Sequence, residues 1–350
     1  FDNVRKQPEK TQNIFNFALN AAQTYTDIMD TLLDRFAETE DEEKTSTLTR
    51  KAIAAAMLPV FAILNIPAQI ILKKVKNIFG GRLKFAVSGA GALPEHVAVF
   101  FRAVGIPILD GYGMTETTGV AAISALPFPR RGCVGRPIPG AQIQLRDDTG
   151  KVITRPGVKG VCWHKGPHVM RGYYKADDKT AEIMRDGWLN SGDIFVWTNT
   201  GEIKFAGRAK DTIVLAGGEN VEPGPIEMKL LEHPFISQVV VVGQDKKTLG
   251  ALIVPNYDRC KEEFKNMGFE APSDYAQWDT HKEIHKFFQD IVKQQVSGSH
   301  GFKSFEKVTG FHIMRKEFEK GKEMTETMKI KRNVVFDLYK KEIDSLYRDD

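Results

Sequence analysis

The stretch "DGYGMTE", residues 110–116, gathers two glycines, a tyrosine, a threonine and two acids within seven positions. A second stretch, "SGAGAL" at 88–93, adds two more glycines a short way upstream. Glycines at 89, 91, 111 and 113 let a flat ring lie against bare backbone, and Tyr112 can stack on such a ring. Thr115 offers a hydroxyl to a phosphate, and Glu116 offers the single carboxylate that Mg2+ accepts alongside substrate oxygens. These are the parts of a nucleotide and metal site. A glycine-rich turn can also do no more than reverse the chain, so the chemistry depends on what positions these residues.

Residues 80–113 have the pattern of one β-α-β unit. Leu83–Val87 is expected as a strand, Pro94–Val104 as a helix opened by proline and stopped by Gly105, and Ile106–Leu109 as a parallel second strand. Both glycine-rich stretches would then be loops on the carboxyl edge of the sheet, where open α/β sheets bind ligands. Upstream, residues 11–36 carry apolar side chains at helical spacing, and the acidic run 38–43 reads as the solvated end of that helix. From 140 to 206, short alternating runs separated by "DDTG", "RPGVKG" and "NTGE" predict an antiparallel β subdomain. Beyond Arg208 the texture returns to mixed α/β, with strands at 239–243 and 251–255, a helix within 274–296 and a lysine-rich tail from Lys316.

Composition narrows the function classes. The 350 residues carry a net charge of +4 with both signs dispersed, so nothing asks for nucleic acid. Three well-separated cysteines, 133, 162 and 260, with no CxxC pair, argue for a reducing, cytoplasmic setting and against a disulfide or zinc framework. No secretory leader is present, and the first residue is Phe1, so a longer parent protein is expected. The uncharged run Ala52–Leu72 is bracketed by Arg50-Lys51 and Lys73-Lys74. Pro59 and Pro67 speak against a bilayer span and for a buried or crevice-lining helix pair; peripheral insertion at a membrane surface is the alternative.

Four blocks in order, "YGMTE" (112–116), "GWLNSGD" (187–193), "GRAKD" with "GGENVEPGPIE" (207–227) and "ETMKIKR" (326–332), closely resemble the adenylate-forming (AMP-binding) superfamily, and within it the long-chain fatty acyl-CoA synthetases. The resemblance implies an α/β acyl-adenylate-forming fold. Residues 1–209 would be part of a large domain with βαβ layers and a small β subdomain at about 140–206. Residues 210–350 would form a small, mobile α+β domain carrying the catalytic lysine. The implied reaction is ATP- and Mg2+-dependent adenylation of a fatty acid, then thioester formation with CoA, with an acyl carrier protein as the rival thiol acceptor.

By the same resemblance Gly89, Ala90 and Gly91, with Asp110, Gly111, Tyr112 and Gly113, would bind the adenine end of the nucleotide. Thr115 would contact phosphate, Glu116 would hold Mg2+, Asp193 would accept from the ribose hydroxyls and Arg208 would reach ribose or phosphate. Lys210 would be the hinge, Lys329 the catalytic lysine, and Gly217, Gly218 and Glu219 would line the thiol's approach. Each has a plainer alternative: Asp193 could cap a turn, Arg208 and Lys210 could be solvated surface, the tail lysines an exposed helix, and Lys331 could take the role of Lys329. His233 is read as helix-end structure, and Trp163, Trp188 and Phe195 as core. One family feature is missing: no glycine-rich phosphate loop precedes the β-α-β unit, only "TSTLTR" at 45–50. The chain by itself is therefore expected to be weak or inactive, and a non-catalytic nucleotide- or acyl-binding fragment is the competing expectation.

Overall fold

The computed structural model describes residues 4, 7–38, 44–89, 91, 93–126 and 129–347. Most of the acidic run at 38–43 and Ala90 fall outside the described residues. The chain divides into two compact units, Phe1–Phe205 and Ala206–Asp350.

In the first unit, helix α1 (Glu9–Leu32) buries Ala18, Leu19, Ala21, Ala22 and Ile28, the stripe expected from helical spacing. It packs against helix α2 (Lys44–Ile78), whose Ala68 and Leu72 share a core with Ala103, Val104 and Ile106. The apolar run is therefore one continuous helix rather than a broken pair. Both Pro59 and Pro67 lie inside it on exposed positions, as do residues 55 and 63, so water can reach the carbonyls that the prolines leave unpaired. Nor is the helix buried: Ile53, Val60, Ile63, Ile66 and Ile70 are each more than half exposed.

Strand β1 (Ala86–Ser88), helix α3 (Glu95–Ala103) and strand β2 (Ile108–Met114) form the expected β-α-β unit, with Ala86, Val87 and Ser88 paired in parallel to Ile108, Leu109 and Asp110. The second strand does not stop at Leu109. It runs through the glycines to Met114 and pairs antiparallel with β3 (Gly119–Ile123), which pairs in turn with β4 (Arg136–Pro137). Residues 110–114 are thus strand rather than loop. The reason is steric: a Cβ on Gly113 would sit 1.6 Å from the Gly119 carbonyl oxygen, at a bulge between Tyr112 and Gly113.

An antiparallel sheet follows: β5 (Gln142–Arg146), β6 (Val152–Ile153), β7 (Gly160–Lys165), β8 (Met184–Arg185), β9 (Trp188–Trp197) and β10 (Ile203–Arg208), with helix α4 (Asp177–Ile183) ahead of β8. Its inner face carries Leu145, Cys162, Phe195 and Ile203, all fully buried. Phe195 is core as expected. Trp163 and Trp188 are not: both are partly exposed, with the Arg146 guanidinium lying over their rings at 4.4 and 5.1 Å.

In the second unit, strands β11 (Ile213–Val214) and β12 (Asn220–Val221) lead into helix α5 (Pro223–Leu231). A three-stranded sheet follows, built from β13 (Ile236–Val242), β14 (Leu249–Pro255) and β15 (Val308–Ile313) with helices α6 (Tyr257–Asn266) and α7 (Lys282–Gln295). Central strand β14 is buried at every position. Leu249, Ala251 and Ile253 face one core, with Phe264, Trp278 and Phe288, while Leu252 and Val254 face another, with Met314, Phe318 and Val335. Cover on both faces explains why "VVVV" and "ALIV" read as continuous apolar runs rather than alternations. Helices α8 (Arg332–Leu338) and α9 (Lys340–Ser345) close the unit.

Candidate active site

The first unit brings together residues far apart in sequence at the end of strand β2. Gly89 and Gly111 face each other closely: a Cβ on Gly111 would stand 3.5 Å from the Ser88 carbonyl, and one on Gly89 3.4 Å from the Gly111 carbonyl. Gly91, by contrast, has open space around it. Tyr112 donates its hydroxyl proton to the Asp193 carboxylate at 2.8 Å, joining positions 81 residues apart. Its ring lies against Phe195 at 4.6 Å and His164 at 5.6 Å between centroids. Asp193 is 6% exposed, presented by strand β9 at an irregularity in its pairing with β7, where Gly192 has φ +69° and Ser191 Oγ accepts from the Asp193 amide at 3.1 Å.

Beyond Met114 the chain makes a 3-10 turn, Thr115–Thr117. Thr117, fully buried, braces it: its hydroxyl accepts from the Met114 amide at 2.9 Å and contacts the Met114 and Gly119 carbonyls at 3.0 Å. Thr115 is exposed and its hydroxyl makes no hydrogen bond to any described residue. Glu116 is held twice by a later segment: its carbonyl accepts from the Met170 amide at 2.8 Å, and its carboxylate accepts from the Tyr173 hydroxyl at 2.5 Å. The Thr118 hydroxyl adds a third tie, donating to the His168 carbonyl at 2.8 Å. Thr117 and Tyr173 are site residues that sequence reasoning passed over. The signal for Tyr173 was an aromatic pair after glycine in "RGYYK", which by itself is mute.

Burial sets the electrostatics here. His164 is fully buried beneath Tyr112, and desolvation of its charged form lowers it to about 4, so it is neutral at pH 7. Burial likewise raises Asp110, at the base of the hairpin, to about 6, against the pull of the Gly111 amide. The Tyr173 hydroxyl is held up at about 12 by its bond to the Glu116 carboxylate. Among the described residues no group of three or more His, Cys, Asp or Glu side chains could hold a metal ion on its own. A cation at Glu116 would need its remaining ligands from a bound substrate, which is how Mg2+ is commonly held beside phosphates.

The second unit positions the other sequence-derived residues. Arg208 ends β10, and Lys210 follows, exposed, in the 3-10 turn Ala209–Asp211. Gly217, Gly218 and Glu219 form the turn between β11 and β12; Gly218 takes φ +87°, its amide donates to Leu215 O at 2.8 Å, and the Leu215 amide donates to Glu219 O at 3.0 Å. His233 sits just beyond α5, its amide bonded to Leu230 O at 3.1 Å, as helix-end structure.

Lys329 rides on a small hairpin, 323–331. The Thr325 amide donates to Lys329 O at 2.8 Å, the Lys329 amide donates to Thr325 Oγ1 at 3.0 Å, and Met328 adopts φ +63° at the tip. Its root is Glu323, fully buried, which accepts from the Tyr339 hydroxyl at 2.8 Å and the Glu319 amide at 3.0 Å. The neighbouring lysines are engaged. Lys316 pairs with Glu319 at 3.0 Å, Lys320 pairs with Glu326 at 3.0 Å, and Lys331 donates to the Gly321 carbonyl at 3.3 Å. The Lys329 ammonium is exposed and pairs with no described residue. Of the two rivals, Lys329 is the one left available.

Comparison with known proteins gives the same outline. Residues 5–174 match the model of the AMP-binding enzyme family, and residues 210–350 match the AMP-binding enzyme C-terminal domain. The chain is 36% identical over 314 residues to a chloroplastic long-chain-fatty-acid–[acyl-carrier-protein] ligase of Arabidopsis thaliana, covering 86% of this chain and 40% of that protein. It is 34% identical over 281 residues to a long-chain-fatty-acid–CoA ligase of Mycobacterium bovis, covering 80% of this chain and 44% of that protein. Among solved structures, the adenylation domain of a carboxylate reductase from Mycobacterium chelonae superposes with a TM-score of 0.65 at 21% identity, over 95% of this chain and 45% of that one. The chain thus spans about two fifths of the length of these curated relatives.

Proposed function

The chain belongs to the AMP-binding enzyme family, and on that premise we propose that it serves a two-step ligase that activates a long-chain fatty acid. In the first step a carboxylate oxygen attacks the α-phosphorus of ATP, the bond to pyrophosphate breaks, and an acyl-adenylate forms. In the second, the thiol of CoA loses its proton and its sulfur attacks the acyl carbon, and AMP leaves with the electron pair of the cleaved C–O bond. The fatty-acid substrate is supported by relatives at 34–36% identity that carry that specificity in their names.

The observation that carries the assignment of roles is the availability of Lys329 on a braced hairpin while its neighbours are paired. A compact ammonium suits stabilising negative charge that develops between phosphate and carboxylate in the transition state. In the first unit, Gly89, Ala90, Gly91, Asp110, Gly111 and Gly113 would admit the adenine end of the nucleotide, with the Tyr112–Asp193 pair fixing the ribose acceptor. His164 beneath that pair is neutral at pH 7, so it adds no charge of its own there. Thr115 would meet phosphate. Glu116 would hold Mg2+, which when bound neutralises phosphate charge; Tyr173 keeps the carboxylate in place for it. Arg208 would reach ribose or phosphate, Lys210 would act as hinge, and Gly217, Gly218 and Glu219 would line the thiol's approach.

A carrier-protein thiol in place of CoA is the second reading, favoured by the 36% identity to the Arabidopsis acyl-carrier-protein ligase. Burial of all three cysteines as free thiols supports a reducing, cytoplasmic setting. The lysine-flanked outer face of α2, long and apolar enough from Thr47 to Ile78 to cross a membrane, supports peripheral contact with a lipid surface. Co-sedimentation with anionic vesicles checks that contact: replacing Phe61, Ile63 and Ile66 by serine is expected to abolish binding, and undiminished binding would refute it. The central test is fatty-acid-dependent ATP–pyrophosphate exchange with palmitate and hexanoate. Run on this chain and, where it is silent, on a version extended upstream of Phe1 to include a phosphate loop, exchange is expected to favour palmitate and to be lost in Lys329→Ala but retained in Lys331→Ala; the reverse pattern would move the catalytic role to Lys331.

A further inference from the structure

Arg332 stands three residues beyond Lys329, at the first turn of α8. Its guanidinium is largely buried, 15% exposed, and reaches three separate segments. One nitrogen, Nη2, contacts both carboxylate oxygens of Glu227 on α5 at 2.6 Å. Nη1 donates to the Val241 carbonyl at the end of β13 at 3.1 Å. The third nitrogen, Nε, lies 3.9 Å from the Asp211 carboxylate, in the same 3-10 turn as Lys210. Glu227 is itself fixed, because its carboxylate also accepts from the Val241 amide at 2.7 Å.

The hairpin bearing Lys329 is therefore anchored at one side by buried Glu323 and at the other by Arg332. Lys331 links the two anchors: its amide donates to the Glu323 carbonyl at 2.8 Å and its own carbonyl opens α8 through the Val335 amide at 3.0 Å. The path from the lysine hairpin to the Ala209–Asp211 turn thus runs through Arg332 and closes on the Asp211 carboxylate at 3.9 Å. A planar, always charged fork is the side chain that can serve a carboxylate and a carbonyl together, which a lysine ammonium cannot reproduce.

We propose that Arg332 is a positioning residue that fastens the Lys329 hairpin to the Lys210 turn, so that the two move as one body. The inference rests on the roles assigned above to Lys329 and Lys210, but the fastening itself can be tested without them. Whenever the turn at 209–211 rotates, Lys329 is carried with it rather than swinging independently.

Amide hydrogen exchange on the chain as it stands, followed by mass spectrometry, is the test, with Arg332→Lys and Glu227→Gln as variants. Losing charge-assisted bonds is expected to speed exchange by at least about tenfold in two places at once, residues 209–214 and 323–332. The buried strand β14 should keep the parent rate. Faster exchange in the hairpin alone would overturn the proposal, since Arg332 would then be a local brace. So would no change in either segment, or an equal rise in β14, which would mean general loosening of the unit. Pyrophosphate exchange separates the two levels: on the proposal Arg332→Lys lowers turnover with little change in KM for ATP. If the two segments respond together but Lys329→Ala leaves pyrophosphate exchange intact, the role of Lys329 fails and the fastening stands.

Discussion

Two titratable groups of the hairpin region respond to acid in opposite directions, and replacing each should tilt the stability of the first unit oppositely. His164 is fully buried and titrates at about 4, against about 6.5 for an unfolded histidine. Between those values the unfolded chain binds the extra proton, so His164 costs the folded state stability as pH falls from 6.5 to 4. The gap corresponds to about 3 kcal/mol. Asp110 titrates at about 6, against about 3.9 unfolded, so here the folded chain binds the extra proton. Its stability contribution is intact below 3.9 and is lost as pH rises through 6; partial exposure reduces the effect to about 2 kcal/mol. Urea unfolding at pH 4, 5, 6 and 7 reads both. Three of the four tryptophans, Trp163, Trp188 and Trp197, lie in the first unit, so fluorescence follows that unit once the Trp278 signal of the second unit is removed by Trp278→Phe in parent and variants alike. Relative to the parent, His164→Gln should gain about 3 kcal/mol on going from pH 7 to 4, and Asp110→Asn should lose about 2 kcal/mol over the same range. Differences from the parent cancel every other titrating group. A flat His164→Gln difference, or two differences of the same sign, would refute the assignment of these shifts to burial.

Other perturbations should be equally local in cause. Asp30 is fully buried and pairs with Arg102 at 2.5 Å, Arg131 at 2.8 Å and Arg35 at 3.8 Å; Asp30→Asn removes the carboxylate that holds three like charges together and should cost about 3–5 kcal/mol, a fall of roughly 10 °C in Tm by calorimetry. Adding Arg102→Met to that variant should recover part of the loss, because one of the mutually repelling charges disappears. Gly113→Ala drives a methyl group into the Gly119 backbone and should destabilise the first unit by at least about 2 kcal/mol, whereas Gly91→Ala, with open space around it, should stay within about 0.5 kcal/mol in the same denaturation assay. In the second unit, Phe264→Ala empties a site packed against Phe269, Trp278 and Phe287 and should cost about 3–5 kcal/mol, read as a lowered urea midpoint.

Local pattern by itself determined a good deal of this protein. Helical spacing of small apolar residues placed α1, proline and glycine bounded α3, and turn residues at 147–150, 155–160 and 199–202 marked out the antiparallel sheet. These signals work because capping, periodicity and turn chemistry are decided within a few residues. The ordered blocks between 112 and 332 likewise marked the family. What the pattern could not decide depended on neighbours distant in the chain. The glycines at 111 and 113 look like loop residues, yet they continue a strand because Ser88 and Gly119 press on their backbone. Pro59 and Pro67 look like breaks, yet the helix runs through them where water can serve the freed carbonyls. Trp163 and Trp188 look like core, yet they lie outside beneath Arg146. Most consequential is the choice between Lys329 and Lys331, which are chemically identical in sequence. The folded hairpin engages Lys331 with the Gly321 carbonyl, and Lys316 and Lys320 in ion pairs, while leaving the Lys329 ammonium available, because such distances are created by folding alone.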